Sequence, residues 1–160
     1  MKAWLLLYNL ASAVGWAYVA FIVFASLVAK QSAEELWEQV GTPLIVVQSA
    51  AALEIVHSLL RWVRSPLFTT VMQVGSRLWL VWVFTAQCKQ CQQHWSLYLM
   101  AGSWALVEVP RYLFYAANLV MKRVPYPLFF LRYNLFMVLY PSGITGTPCA
   151  RLVSWPCPMF

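Results

Sequence analysis

Residues 3–29, AWLLLYNLASAVGWAYVAFIVFASLVA, contain no Asp, Glu, Lys or Arg. A helix needs about twenty apolar residues to cross a bilayer, because each residue adds about 1.5 Å and the hydrocarbon core is about 30 Å thick. This uncharged stretch is long enough to cross with some tilt. It therefore predicts a transmembrane helix at the beginning of the chain.

Further apolar stretches follow, separated by short polar joints. They occupy residues 42–60, 66–86, 95–121 and 124–140, and the joints are residues 30–39, 61–65, 87–94 and 122–123. No internal repeat or flexible linker separates them. The pattern predicts an all-α, polytopic membrane helix bundle with about five transmembrane helices.

The composition excludes an ordinary soluble domain. Of the 160 residues, 62% are apolar and 10% are charged, whereas soluble domains are about half apolar and about a quarter charged. The net charge is +6, but the Lys and Arg residues are scattered and form no basic stripe for phosphates, so no nucleic-acid partner is expected. Four Cys are too few for a disulfide framework, and their spacing disfavours a zinc site, so no metal is expected.

The first residues also resemble a signal peptide, with Lys2, an apolar run and the small residues Ala11-Ser12-Ala13. Because the apolar run continues through Val28, a retained helix is the favoured interpretation. Orientation follows from the Lys and Arg residues of short loops. One side has Lys2, Arg61, Arg64, Lys122 and Arg123; the other has Lys30 and Lys89, with Glu34, Glu35 and Glu38. The asymmetry predicts a cytosolic N-terminus.

Several ionisable residues fall inside the apolar stretches, where charge opposes insertion and usually faces the bundle interior. These are Glu54, His57, Arg77, Glu108, Arg111 and Arg132. Helical spacing places Glu54 with His57, Gln73 with Arg77, and Tyr133 with Tyr140 on shared faces. It also gives one inward stripe, formed by Trp104, Glu108, Arg111, Tyr112 and Tyr115.

Two interpretations of these polar residues stay open. They could pair across helices and hold the bundle together. They could instead line a cavity for an amphipathic substrate, with Arg111 or Arg132 meeting an anionic head group. A transporter is disfavoured, because the spans show no paired broken helices.

Residues 57–65, HSLLRWVRS, resemble the tyrosine phosphatase loop but lack its chemistry. That loop needs a thiolate nucleophile and a glycine that lets backbone amides surround the phosphate. Ser58 stands at the Cys position and Arg61 at the Gly position. The sequence therefore predicts no phosphatase activity.

A set of short motifs, in order along residues 8–146, resembles one family. They are Tyr8-Asn9, Gly15-Trp16, Leu53-Glu54-Ile55-Val56-His57-Ser58, Val63-Arg64-Ser65-Pro66, Gln73-Val74-Gly75-Ser76-Arg77, Glu108-Val109-Pro110-Arg111-Tyr112, Phe114-Tyr115, Leu131-Arg132-Tyr133 and Leu139-Tyr140-Pro141-Ser142-Gly143. Together they resemble the very-long-chain (3R)-3-hydroxyacyl-CoA dehydratases of fatty-acid elongation, also called protein tyrosine phosphatase-like. No single motif is specific, but their order is.

The resemblance implies an endoplasmic reticulum membrane protein with six transmembrane helices. It implies dehydration of (3R)-3-hydroxyacyl-CoA to trans-2-enoyl-CoA, the third step of each elongation cycle, without a cofactor or metal. The implied partners are the acyl-CoA substrate, the lipid bilayer and the fatty-acid elongase enzymes. The family's catalytic Tyr falls on Tyr140, whose alternative role is that of an interfacial aromatic residue.

The chain departs from the family pattern at Thr147, which stands where the family has its catalytic Glu. A threonine hydroxyl is too weak a base to replace a carboxylate. Residues 147–160 hold three Pro and two Cys without helical periodicity. We therefore expect a dehydratase-like bundle over residues 1–146, without the sixth span, and a divergent tail over residues 147–160. Two functions stay open: an active dehydratase, and a catalytically inactive membrane partner or scaffold of the elongase complex.

Overall fold

The computed structural model of the chain describes residues 1–63, 65–121, 124–132 and 134. Its helices are α1 (Lys2–Val28), α2 (Ala33–Ala50), α3 (Ala52–Leu59), α4 (Leu67–Trp79), a π-helical segment (Leu80–Thr85), α5 (Lys89–Gln93) and α6 (Ser96–Val120). Residues 126–132 are also helical, and this described part of the chain contains no strand. The prediction of an all-α fold is confirmed.

Three helical stretches are long and apolar enough to cross a membrane: Lys2–Val28, Ala33–Leu59 and Leu67–Thr85. They overlap the first three predicted spans, residues 3–29, 42–60 and 66–86, to within one residue at every end except the beginning of the second. Helix α6 coincides with the fourth, and its 25 residues are long enough to cross. Helix α6 is not among the three stretches above, because Glu108 and Arg111 lower its mean hydropathy. Of the predicted fifth span, residues 133 and 135–140 lie outside the described residues.

Most of the polar joint predicted at residues 30–39 is helical, because α2 begins at Ala33. The Ser32 hydroxyl accepts a hydrogen bond from the Glu35 amide (3.3 Å), and the Glu35 carboxylate accepts one from the Ser32 amide (2.9 Å). This capping box satisfies two amides that a helix start leaves without partners. The Ser-x-x-Glu spacing was the sequence signal for it.

Helices α1 and α3 end in the same way. Lys30 and Arg61 adopt left-handed backbone conformations, with φ of 53° and 55°. After α1, the Gln31 amide donates to the Ser26 carbonyl; after α3, the Trp62 amide donates to the His57 carbonyl. These are Schellman caps, in which glycine normally occupies the left-handed position.

The core forms where α1 packs against α6, its most extensive partner, and against α2. Trp16 and Tyr112 are among the largest fully buried side chains there. The close approach of α1 and α2 requires glycine at position 15, since a Cβ there would lie 2.6 Å from Val47 Cγ1. This packing brings the first turns of α1 beside the last turns of α6.

Helix α4 continues directly into the π-helical segment. The Thr85 hydroxyl donates to the Leu80 carbonyl at the beginning of that segment (3.0 Å). Trp82 Nε1 donates to the Ser49 hydroxyl of α2 (3.1 Å). The segment thus joins the third span to the second.

Candidate functional site

Glu108 of α6 is at the centre of a buried ionic network. Its carboxylate is only 1% exposed. Oε2 accepts a hydrogen bond from Arg111 Nε, three residues along α6 (2.6 Å), and Oε1 accepts one from Arg77 of α4. The three-residue spacing predicted the pairing with Arg111. The pairing with Arg77 joins the third span to the fourth.

Arg111 extends the network to α3. Its two terminal nitrogens donate to the two carboxylate oxygens of Glu54, at 3.0 and 2.7 Å. The Tyr112 hydroxyl donates to Glu54 Oε1 at 2.5 Å. Such bidentate pairs between arginine and a carboxylate fix orientation as well as distance. Two arginines and two glutamates therefore compensate one another inside the bundle.

Aromatic faces complete the surroundings of both arginines. The Arg111 guanidinium carbon lies 4.5 Å from the ring centre of Tyr112 and 5.8 Å from that of Tyr115. The Arg77 guanidinium carbon lies 5.2 Å from the ring of Trp104. These distances are typical of cation–π contacts. The predicted stripe on α6 thus does face the interior, and its aromatic members cover the cations.

His57 lies in an aromatic cluster at the end of α3. Its Nε2 accepts a hydrogen bond from Trp4 Nε1 (3.0 Å), so the ring proton is on Nδ1 when the imidazole is neutral. Trp62 stacks on the ring with centroids 5.7 Å apart, and Tyr8 meets it edge-on at 4.9 Å. Glu54 and His57 share a helix face, as predicted, but their hydrogen bonds go to different helices.

A cavity of about 300 Å³ lies beside both groups, at the end of the bundle where α1 begins. Its lining comes from α1, α3, the connection after α3, and the last turns of α6. The lining residues are Leu5, Tyr8, Asn9, Glu54, His57, Trp62, Val63, Ser65, Tyr115, Asn118 and Leu119. The lining combines apolar side chains with a smaller number of polar ones, as is usual for small-molecule sites.

Arg132 approaches the cavity through Tyr115. One of its terminal nitrogens donates to the Tyr115 hydroxyl (3.3 Å). Its guanidinium carbon lies 4.4 Å from the ring centre of Phe114 and 4.7 Å from that of Tyr115. Arg132 therefore fastens residues 126–132 to α6 beside the cavity.

The structure brings together five of the predicted residues in one network: Glu54, Arg77, Glu108, Arg111 and Tyr112. His57 and Arg132 adjoin the cavity. Tyr133, Tyr140 and Thr147 lie outside the described residues. Arg77 pairs with Glu108 of another helix, whereas the sequence had grouped it with Gln73.

Sequence reasoning missed Trp4 as the partner of His57 and gave no role to Tyr8 or Asn9. Tyr8 lines the cavity and donates to the Ala50 carbonyl (3.2 Å). The available signal was the pair Tyr8-Asn9, which is polar within an otherwise apolar run. In the phosphatase-like string, the Ser58 hydroxyl donates to the Ser65 carbonyl (3.0 Å). That bond ties the two ends of the string together.

Comparison with known proteins gives one family. The protein-family model described as "Protein tyrosine phosphatase-like protein, PTPLA" matches residues 48–157 of this chain. A very-long-chain (3R)-3-hydroxyacyl-CoA dehydratase of Caenorhabditis elegans is 37% identical over 146 residues, covering 91% of this chain and 67% of the relative. Dehydratase 2 of Mus musculus is 37% identical over 144 residues, covering 90% and 56%. No solved structure matches the chain.

A plant relative matches with a similar identity and over similar shares of both chains. The very-long-chain (3R)-3-hydroxyacyl-CoA dehydratase PASTICCINO 2 of Arabidopsis thaliana is 35% identical over 145 residues, covering 91% of this chain and 65% of the relative. The chain thus spans between about half and two thirds of the length of the curated relatives that it matches.

Proposed function

The chain belongs to the protein tyrosine phosphatase-like protein family, and we propose that it dehydrates (3R)-3-hydroxyacyl-CoA to trans-2-enoyl-CoA in very-long-chain fatty-acid elongation. The observation that carries this proposal is an identity of 37% across 91% of the chain with a protein named for that reaction. The cavity beside a buried polar network gives it support, because an amphipathic thioester needs both apolar and polar contacts.

The reaction needs one group to accept a proton and another to donate one. The C2 proton of the substrate leaves to a base, its electron pair forms the C2–C3 double bond, and the C3 hydroxyl departs as water after protonation. In the family pattern a Tyr and a Glu share these tasks, and Tyr140 provides the phenol here. Because Thr147 stands at the Glu position, one of the two proton-transfer groups is missing. Such a group typically contributes about 10²- to 10⁴-fold, so we expect slow turnover.

The ionic network has a supporting role in this proposal. Glu54 and Glu108 are the carboxylates nearest the cavity, but their oxygens already accept hydrogen bonds from Arg77, Arg111 and Tyr112. Because these donors already occupy both carboxylates, we assign the proton transfer to neither of them. The network instead holds α3, α4 and α6 around the cavity.

A turnover assay tests the proposal. The chain is reconstituted in vesicles and given (3R)-3-hydroxypalmitoyl-CoA, and trans-2-enoyl-CoA is measured. We expect Thr147→Glu to raise turnover. Tyr140→Phe should abolish that gain. A turnover lost in Glu108→Gln but retained in Tyr140→Phe would contradict the assignment and move the chemistry to α6.

A second candidate function follows from Thr147 itself. A chain that folds like its relatives but lacks the carboxylate could act as a membrane partner of the elongase enzymes. Co-purification with a condensing elongase, in the absence of turnover by either the natural chain or Thr147→Glu, would favour this function. Turnover without co-purification would favour the enzyme.

For localisation we propose the endoplasmic reticulum membrane with a cytosolic N-terminus. The support is the excess of Lys and Arg in the joints on the N-terminal side. An Asn-x-Ser acceptor for glycosylation placed between Lys30 and Gln39 should be modified, and one placed between Arg61 and Ser65 should not. The reverse pattern would invert the orientation.

A further inference from the structure

The residues that line the cavity all come from one end of the bundle. Leu5 and Asn9 are near the beginning of α1, Trp62 and Val63 follow the end of α3, and Leu119 is near the end of α6. Helix α2 begins at the opposite end, where α1 ends. A ligand that reaches this cavity from water therefore enters at the end where α1 begins.

The two ends of the bundle differ in charge. Lys2 and Arg61 are exposed at the cavity end. Of the five acidic residues of the chain, Glu54 and Glu108 belong to the interior network, and the other three begin α2 at the opposite end: Glu34, Glu35 and Glu38. Lys30 and Lys89 accompany these three carboxylates, so the opposite end is nearly neutral or slightly negative, and a polyanion is attracted more strongly to the rim of the cavity than to that end.

The cavity itself offers no net charge to a ligand. Among the described residues that line it, Glu54 is the one carboxylate, and Arg111 and Tyr112 already bind it. What remains are neutral hydrogen-bonding groups such as Asn9, Ser65 and Asn118, beside apolar walls. This lining suits an uncharged chain that carries amide groups and disfavours a phosphate.

We propose that the cavity receives the pantetheine arm of an acyl-CoA thioester, and that Arg61 at its rim binds phosphate groups of the same CoA. Pantetheine is neutral and carries amide and hydroxyl groups between short apolar segments, and the cavity offers both neutral hydrogen-bonding groups and apolar walls. Arg61 directly precedes Trp62 and Val63, which line the cavity. This inference rests on the proposed function, and it assigns the two parts of CoA to two different places.

Equilibrium binding tests the phosphate contact in vesicles of phosphatidylcholine, which carry no net charge. The probes are 3-hydroxypalmitoyl-CoA and 3-hydroxypalmitoyl-pantetheine, which lacks the phosphates. Arg61→Gly removes the charge and favours the left-handed cap, so it should not harm folding. It should weaken binding of the CoA thioester about two- to fivefold, as expected for one exposed ion pair, and leave the pantetheine thioester unchanged. Added salt should shrink the difference.

Lys30→Gly is the matched control for that variant. Lys30 has the same left-handed conformation, charge and type of cap, but at the opposite end of the bundle. It should leave both affinities unchanged. An equal loss in Lys30→Gly and Arg61→Gly would overturn the assignment to Arg61.

A second pair of variants tests the cavity. Leu119→Trp fills it from the wall and should weaken both thioesters about tenfold or more, since both carry the pantetheine arm. Val120→Trp is its control, because Val120 is 66% exposed on the neighbouring position of α6. Unchanged affinities in Leu119→Trp would overturn the placement of the arm.

The outcomes separate this inference from the proposed function. If the natural chain binds the CoA thioester but Arg61→Gly and Leu119→Trp bind it equally well, the inference fails and the proposed function stands. If the natural chain binds neither thioester, both fail. An effect of Arg61→Gly that arises only after an anionic lipid is added to the vesicles would assign Arg61 to a lipid head group and overturn its contact with CoA.

Discussion

The interior network and the beginning of α2 use the same kinds of side chain in opposite surroundings. In the interior, Glu108 is 1% exposed and is bound by two arginines. At the beginning of α2, exposed Glu34 accepts a hydrogen bond from Gln93 (3.3 Å), and exposed Glu35 completes the capping box. A glutamate thus joins two helices in the interior, whereas at the beginning of α2 it caps its own helix.

Burial decides how much each contact contributes. Exposed pairs contribute about 0.2–1 kcal/mol, because water competes for both partners. A buried pair is different: removing one partner leaves the other charge without compensation and destabilises by about 3–5 kcal/mol. The comparison therefore predicts that substitutions in the buried network lower the free energy of unfolding more than substitutions at the exposed beginning of α2.

The largest effect is expected for Glu108→Ala. It leaves Arg77 and Arg111 facing each other without their shared carboxylate, so the free energy of unfolding should fall by about 3–5 kcal/mol. The measurement is an SDS titration of the chain in mixed micelles. Combining it with Arg111→Ala should destabilise less than the sum of the two single changes. Strictly additive losses would show that the two residues act independently.

A smaller loss is expected for Arg77→Gln. Glu108 keeps its bond to Arg111 in this variant, and the change removes one interhelical ion pair and the contact with Trp104. The same titration should show a decrease of about 1–2 kcal/mol. A loss as large as that of Glu108→Ala would mean that the two arginines are equally necessary and that Glu108 is not the centre of the network.

Ser32→Ala tests the exposed region. It removes the side-chain half of the capping box at the beginning of α2 and should destabilise by about 1 kcal/mol. Ser32→Asp is the control, because aspartate also caps helices well. Equal losses in the alanine and aspartate variants would contradict a capping role.

The smallest effect is expected for Gln93→Ala, which removes the exposed contact with Glu34. Surface substitutions of this kind usually change stability by less than about 0.5 kcal/mol. A loss above about 1 kcal/mol in the same titration would show that this end of the bundle is held together more tightly than its exposure indicates.

Helical spacing predicted what lies within one helix. Glu108 and Arg111 pair as residues three apart on one face do, and the apolar stretches located the first three spans. The sequence did not predict that Glu54 binds Arg111, or that Arg77 binds Glu108. Those partners lie on different helices, and their meeting depends on how the helices dock, which residue spacing along one chain does not specify.

The same reason explains the parts of the cavity that were missed. Trp4 and His57 are 53 positions apart, so no local pattern connects them. The early beginning of α2 is a different case, because its signal was local: the capping box of Ser32 and Glu35 outweighed the polar composition of residues 33–39.

The π-helical segment Leu80–Thr85 should let the third span lose a residue there more easily than elsewhere. A π-helical turn holds one more residue than an α-helical turn. Losing one residue inside the segment would let it close into ordinary α-helix while the residues before and after it keep their neighbours. The same loss in the middle of α6 would rotate Arg111 and Tyr112 away from Glu54 by about a quarter of a turn. Among descendants of this gene, single-codon deletions should therefore survive at positions 80–85 and be eliminated between Glu108 and Arg111.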